Sequence, residues 1–426
     1  MQHDVIIIGG GPAGSTLANR LARSGRKVVV FEKERFPRFH IGESLLPCSI
    51  PLLAELGVLP ALDGGRFLRK YAAEFVTSDG SQTQRYPFAD GLLGGSPFAF
   101  EVERALFDHV LLEQAEKAGA RVEEETQVLR FDCDLARGVE VVVQGPGGAE
   151  RRETAQFLVD ASGQSALLPS RLGLRQMEPE LRNFAVFSHF DGVARKSGEE
   201  EGDISVVLVN GGWWWVIPLK GGRTSVGLVG RAKRLGGAKP DEAFLEARLA
   251  ESPYLRERLA KATRAAPVRT ISDWSYQSRA LAGDRWLLAG DAGAFIDPVF
   301  STGVQLALTA AFDAAECIDR ALTERRFERA RFIPYERRMR RLVGTYTEFV
   351  KGFYTPEFGE LLLHPSDALG LRGAITSLLA GHGNKTMGMG VRVALFHLLV
   401  RMNRSLPLAP RLPERRASGA APPRSE

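Results

Sequence analysis

Gly9, Gly11 and Gly14 in the run VIIIGGGPAG have the spacing of a phosphate cradle, and Glu32 closes the next apolar run, KVVVFE. Each glycine has a separate physical job. Gly9 permits a tight turn, Gly11 lets the main chain approach a pyrophosphate, and Gly14 lets a helix sit close to the preceding strand. The amino end of that helix would offer free N–H groups and a favourable dipole to the anion. Glu32 would accept hydrogen bonds from ribose hydroxyls, and its charge would repel a 2′-phosphate. These residues predict a dinucleotide site.

The second concentration of unusual residues is GGWWWVIPLKGG, which holds three of the five tryptophans, Trp213, Trp214 and Trp215. In a strand Trp213 and Trp215 share one face and Trp214 takes the other. Core packing is the plain alternative to a role at a site, because aromatic side chains suit strands and bury much area. The seven histidines include no HxxxH pair, and Cys48, Cys133 and Cys317 have no CxxC spacing. No metal site or disulfide framework is expected, and a reducing, cytoplasmic interior is the default. No GxSxG nucleophile elbow occurs.

The elements that must carry these residues are legible in outline. DVIIIG and KVVVFE read as buried parallel strands, and the segment after Pro12 as a helix ending at Gly25. Glu101 to Ala118 reads as an amphipathic helix, followed by strands in ARVEEETQVLRF, GVEVVVQG and QFLVDASG. From about Asn183 to Val229, successive strands joined by glycine turns indicate an antiparallel sheet. The α/β pattern returns at WLLAGDAG, and beyond Phe332 the chain is mainly helical. The expected fold is α/β, with a discontinuous Rossmann-like domain over 1–75, 101–180 and 270–331. An inserted antiparallel-sheet substrate domain covers 76–100 and 181–269, and a helical cap covers 332–406.

With 426 residues, 44% of them hydrophobic and 25% charged, the chain can bury a large core. The net charge of +5 is mostly terminal, because six arginines face two glutamates from Arg401 onward. The body is left near neutral, which argues against a nucleic-acid partner. The stretch 407–426, PLAPRLPERRASGAAPPRSE, is aperiodic and expected to be disordered. The first apolar run, broken by glycines after Ile8 and without a charged stretch before it, is not expected to be a signal peptide. No apolar run approaches the roughly 18 residues of a membrane span.

At this point the motifs carry a resemblance. GxGxxG with Ala13 and Glu32, Arg104 heading RALFDHVL, the DASG turn from Asp160 to Gly163, and GDAG with Asp291 resemble the FAD-binding motifs of group A flavoprotein monooxygenases. The resemblance implies that Arg104 and Asp291 hold the flavin side of FAD. Three further stretches are similar to flavin-dependent halogenases. They are GESLLP, with Gly42, Glu43 and Ser44; WWWVIP, matching WxWxIP at Trp213, Trp215, Ile217 and Pro218; and FIDPVFSTG, matching FxxPxxSxG, with Pro298 and Gly303. RFLRKYAAEF looks like the segment bearing the family's catalytic lysine, here Lys70. Where tryptophan halogenases carry a glutamate before the motif serine, this chain has Phe300. That departure resembles the enzymes acting on phenols or pyrroles, free or tethered to an acyl or peptidyl carrier protein.

The resemblance implies that reduced FAD, O₂ and chloride or bromide yield hypohalous acid, which Lys70 holds by hydrogen bond or as a chloramine. Halide would sit on the backbone N–H groups of Ser301, Thr302 and Gly303, at the start of a helix; a tight turn with no ligand is the alternative. A lysine beside Tyr71 and Phe75 is by itself ordinary for a surface position. Trp213, Trp215, Ile217 and Pro218 would wall the flavin from the substrate. Because no second glycine unit for a nicotinamide is present, a separate flavin reductase is expected to deliver reduced FAD. The rival expectations are an aromatic hydroxylase or isoprenoid double-bond reductase of the same fold, and a flavin-binding protein without turnover.

Overall fold

The computed structural model describes residues 2–231, 239–383 and 386–412. Along the chain run β1 (His3–Ile8), α1 (Pro12–Arg23), β2 (Val28–Phe31), β3 (Leu68–Lys70), β4 (Ala72–Thr77), β5 (Thr83–Pro87), β6 (Ala99–Glu101) and α2 (Arg104–Lys117). Next come β7 (Arg121–Glu123), β8 (Gln127–Asp134), β9 (Gly138–Gln144), β10 (Glu150–Asp160), β11 (Asn183–Asp191), β12 (Ile204–Val209), β13 (Gly212–Pro218) and β14 (Arg223–Arg231). The last labelled elements are β15 (Trp286–Leu288), α3 (Thr302–Glu324), α4 (Ile333–Phe353), α5 (Leu371–Leu379) and α6 (Met387–Met402).

The nucleotide-type sheet has the order β15-β10-β1-β2-β7, all parallel, with β9 antiparallel to β10 and β8 antiparallel to β9. Its central strands are buried on both faces, which is why β1 and β2 read as unbroken Val and Ile runs. α1 and α3 cover one face together. A Cβ on Gly14 would lie 1.9 Å from the Gly9 carbonyl oxygen, so only glycine lets α1 come this close to β1. Gly9 itself has φ +99°, which an L side chain resists.

The second sheet runs β11-β14-β13-β12-β4-β5. It is antiparallel except that β12 pairs parallel with β4, and β4 begins at Ala72, so this sheet starts earlier than the expected boundary at 76 and is not purely antiparallel. Trp213 and Trp215 belong to the main core between the sheets, whereas Trp214 packs on the opposite face with Val76, Phe184 and Leu255. The strand alternation read from sequence is therefore the observed one.

Two other expectations change. Glu101 ends the strand β6 instead of starting a helix, because β6 pairs with β3, Leu68 opposite Glu101, and α2 begins only at Arg104. The stretch after 406 is anchored as far as it is described: Asn403 accepts from the amides of Leu408 and Ala409, and Arg411 pairs with Glu360 at 2.8 Å. Residues 413–426 lie outside the described residues. Among the described residues no helix is long and apolar enough to cross a membrane, and no His, Cys, Asp and Glu cluster suits a metal ion.

Candidate functional site

One cavity of about 610 Å³ runs between the two sheets. Its lining brings together Gly9, Gly11, Ala13, Glu32, Gly42, Glu43, Ser44, Arg104, Gly163, Asp291, Pro298, Ser301, Thr302, Gly303, Trp213, Trp215 and Ile217, far apart in sequence and all expected at a site. The volume lies in the range of cofactor sites.

At one end, the first turn of α1 faces the cavity with amides that have no helical partner. The atom nearest to a Cβ built on Gly11 is Arg38 Nη2 at 3.5 Å, so the open space in front of the glycine has a cation at its edge. Glu32 is held by the amides of Gly10 at 2.7 Å and Glu34 at 2.8 Å, with its carboxylate on the cavity wall. An anion flanked by a ribose fits this donor and acceptor set.

Arg104, at the head of α2, is fixed from three sides. Its guanidinium donates to both oxygens of Asp108, at 2.8 and 3.0 Å, and to the Ile41 carbonyl at 2.8 Å. Asp108 is buried; burial pushes its carboxyl up, but Arg104 and Arg38 hold it below the ordinary range. Burial, with Arg104 beside it, lowers His40 to about 4, so this cavity-lining imidazole is neutral at pH 7. Across the cavity, burial raises Asp291 to about 7 against the pull of Arg104.

The wall opposite α3 is the face of β13. Trp213 and Trp215 stand 6.0 Å apart between ring centres, and each indole N–H is satisfied. Trp215 donates to Ser225 Oγ at 3.0 Å, and Trp213 to the Tyr354 hydroxyl at 3.2 Å. Tyr354 donates to Asp297 at 2.8 Å, as does Asn183, and burial raises Asp297 to about 6.

The expected halide turn differs in one detail. Ser301 sits at φ +56° and donates its amide to the Pro298 carbonyl at 3.0 Å, so it has no N–H to offer an anion. The amides of Thr302 and Gly303, in the first turn of α3, have no helical partner.

Four expected residues stand off the cavity wall. Gly14 is packed against Gly9, and Pro218 pairs with Thr224 beyond the cavity lining. Asp160 accepts from the amides of Ser162 at 2.9 Å and Leu168 at 2.7 Å, so it holds the DASG turn in shape and leaves Gly163 on the wall. Lys70 is only 1% exposed. Its amine lies behind Ser44, donating to Ser44 Oγ at 2.8 Å and to the Leu45 carbonyl at 2.9 Å, with the Phe88 ring centre at 5.2 Å. The helical segment from Phe349 to Leu379 lines none of this cavity; Phe349 and Phe353 pack on Phe300, at 4.7 and 5.5 Å.

Sequence reasoning missed Arg38, Asp108, Asp297, Tyr354 and His189, whose ring nitrogen lies 2.6 Å from the Glu43 carboxylate on the cavity wall. Asp108 had a signal, lying one helical turn after Arg104. Asp297 lay inside the quoted motif, while His189 and Tyr354 reach the site only through tertiary packing.

Comparison with known proteins fits this geometry. The tryptophan halogenase family profile matches residues 4–91 and 71–357. The chain is 34% identical, over 83% of its length and 84% of the relative's, to the 1H-pyrrole-2-carbonyl-[peptidyl-carrier protein] chlorinase of Pseudomonas fluorescens. It is 36% identical to the tryptophan 2-halogenase of Chondromyces crocatus over 74% of its own length and 60% of that longer protein. The crystal structure of a flavoprotein/dehydrogenase from Cytophaga hutchinsonii superposes with a TM-score of 0.86 at 29% identity, over 95% of this chain and 100% of that one. The flavin-dependent brominase Bmp2 does so with a TM-score of 0.84 at 27% identity, over 95% of this chain and 100% of that one. With a cavity whose lining fits a dinucleotide, a family profile that spans most of the chain and a relative 34% identical over most of both lengths, this chain belongs to the tryptophan halogenase family of FAD-dependent enzymes.

Proposed function

We propose that the protein halogenates an electron-rich ring, a phenol or a pyrrole, free or tethered to a carrier protein, through Lys70. The observation that carries this reading is the position of the Lys70 amine: fully buried, bonded to Ser44 Oγ at 2.8 Å, and separated from the cofactor cavity only by the residue that lines it.

The residues present fit FAD. The α1 amides with Arg38 would take the pyrophosphate, Glu32 the ribose, and Arg104 with Asp291 the flavin side. Bound and reduced, FAD supplies with O₂ the oxidising equivalent that converts halide to hypohalous acid. The Thr302 and Gly303 amides hold the halide at the positive end of α3. Trp213 and Trp215 form a rigid wall that keeps organic substrate away from the cofactor, so halide reacts first. The Lys70 amine donates a hydrogen bond to the oxygen of hypohalous acid and sets its halogen toward the ring; burial lowers its affinity for a proton, with Glu101 and Asp203 opposing that effect. Reduced FAD comes from a separate flavin reductase.

Phe300 supports a phenol or pyrrole over tryptophan. The position is filled by a phenyl ring in an aromatic cluster, with no carboxylate to receive an indole. The pyrrole chlorinase relative supports a tethered pyrrole.

The test is an assay with FAD, a generic flavin reductase, NADH and chloride or bromide. Phloroglucinol and a pyrrole-2-carbonyl thioester on a carrier protein serve as ring probes. Halide-dependent product that disappears in Lys70→Ala is expected. Product formed without halide, or unchanged in Lys70→Ala, would overturn the reading.

A further inference from the structure

A buried carboxyl stands directly behind the lysine. Ser44 and Glu101 face each other in an isolated antiparallel bridge, which puts their side chains on the same side. Ser44 Oγ accepts from Lys70 Nζ at 2.8 Å and donates to Glu101 Oε1 at 3.1 Å. Glu101 is 1% exposed, and its second oxygen, Oε2, is buried with no hydrogen-bond partner. An uncompensated carboxyl at such a place is costly to keep, because each unpaired buried oxygen loses its water and gains nothing. β3 and β6 pair so that Lys70 and Glu101 are delivered to this spot by adjacent strands.

We infer that Glu101, acting through Ser44, is a positioning residue that fixes the direction and the charge of the Lys70 amine. This rests on the Lys70 reading above. Two of the three ammonium N–H directions are taken by Ser44 Oγ and the Leu45 carbonyl, so the remaining one is fixed in space. The Phe88 ring lies against the amine as an apolar partner that favours a cation over its face. The charge is held by carboxyls on other elements: Glu101 from β6 and Asp203 ahead of β12 both favour the ammonium, against burial. Glu101 in turn is pushed well above the carboxylate range by burial, opposed by Lys70 and the Ser44 hydrogen bond and reinforced by Glu43 and Asp203. Lys70 and Glu101 thus depend on each other for their ionised forms.

The full-length enzyme with FAD, flavin reductase and bromide tests this. Glu101→Gln keeps the shape and removes the carboxyl that can ionise beside Lys70. Its FAD affinity, read from flavin absorbance, and its release of free hypohalous acid, read with monochlorodimedone, are expected within about two-fold of the parent. Bromination of phloroglucinol is expected to fall about ten-fold or more, and the alkaline limb of its kcat profile to move to lower pH by about one unit, since the ammonium loses its counter-charge. A merely structural role would lower the rate without moving the limb. Glu101→Asp, which restores the charge, is expected to move the limb back. If Glu101→Gln fails to bind FAD, Ser44→Ala decides, because it breaks the same relay while keeping both ionisable side chains and is expected to lower kcat more than it raises KM. An unmoved limb and unchanged kcat, with Lys70→Ala inactive, would overturn the role of Glu101 alone. A Lys70→Ala enzyme that keeps its rate would instead overturn the lysine reading.

Discussion

The Trp213 indole donates to the Tyr354 hydroxyl at 3.2 Å, which ties the cavity wall on β13 to the end of α4. The same hydroxyl donates to Asp297, so one oxygen links a wall tryptophan to the carboxyl beside Pro298. Tyr354→Phe leaves the indole N–H without its acceptor and removes a donor from a fully buried carboxyl. A loss of about 1–3 kcal/mol in folding stability is expected, read from urea unfolding. FAD affinity should change little, because Tyr354 is not on the cavity wall. Unchanged stability would mean that the network carries no load.

The flavin-free protein should be more stable in mild acid than at neutral pH. Asp291 binds its proton up to about pH 7 in the fold, against about 3.8 for the ordinary carboxyl, and Asp297 up to about 6. The folded state therefore holds more protons than the unfolded one between about pH 4 and pH 7, and stability falls as pH rises through that window. Asp291→Asn should flatten the fall in Tm between about pH 5 and pH 7. A variant whose Tm follows the parent at every pH would contradict the raised Asp291.

The cofactor end of this site was readable in the sequence because its parts are local. A glycine spacing, a strand on each side and a terminal acid lie within the first 32 residues, and the physical demands on them do not depend on the rest of the chain. The alternation that separates Trp214 from its neighbours was readable for the same reason. The Lys70 surroundings were not: Ser44, Glu101 and Phe88 meet the amine only because β3 and β6 pair across a connection of 28 residues, 71 to 98, that contains two strands of the other sheet. Ser301 misled because a motif shows which residue begins a helix but not whether its amide is already used.

Trp214→Ala should damage the fold and spare the site. The ring is 1% exposed in the outer core of the second sheet, with Phe184 and Leu255. Its removal leaves a large void, at a cost of about 3–5 kcal/mol. FAD affinity measured at low temperature, where the variant is folded, should match the parent, whereas Trp215→Ala opens the cavity wall and should weaken it. Equal loss of FAD binding in both variants would show that the two faces of β13 are not separable.

Halide binding should depend on backbone amides and not on the hydroxyls that flank them. Ser301 is held at φ +56°, where a side chain costs about 1–2 kcal/mol, and its own amide is engaged with Pro298. Ser301→Gly relieves that conformation while giving the unfolded chain more freedom, two effects that nearly offset, so stability should shift by about 1 kcal/mol or less. Thr302→Val keeps volume and shape at the first residue of α3 and removes only the hydroxyl. Neither variant touches the Thr302 or Gly303 amide, so the KM for bromide should stay within about two-fold in both. A rise of about ten-fold in either would assign the halide to that hydroxyl and remove the helix terminus from the mechanism.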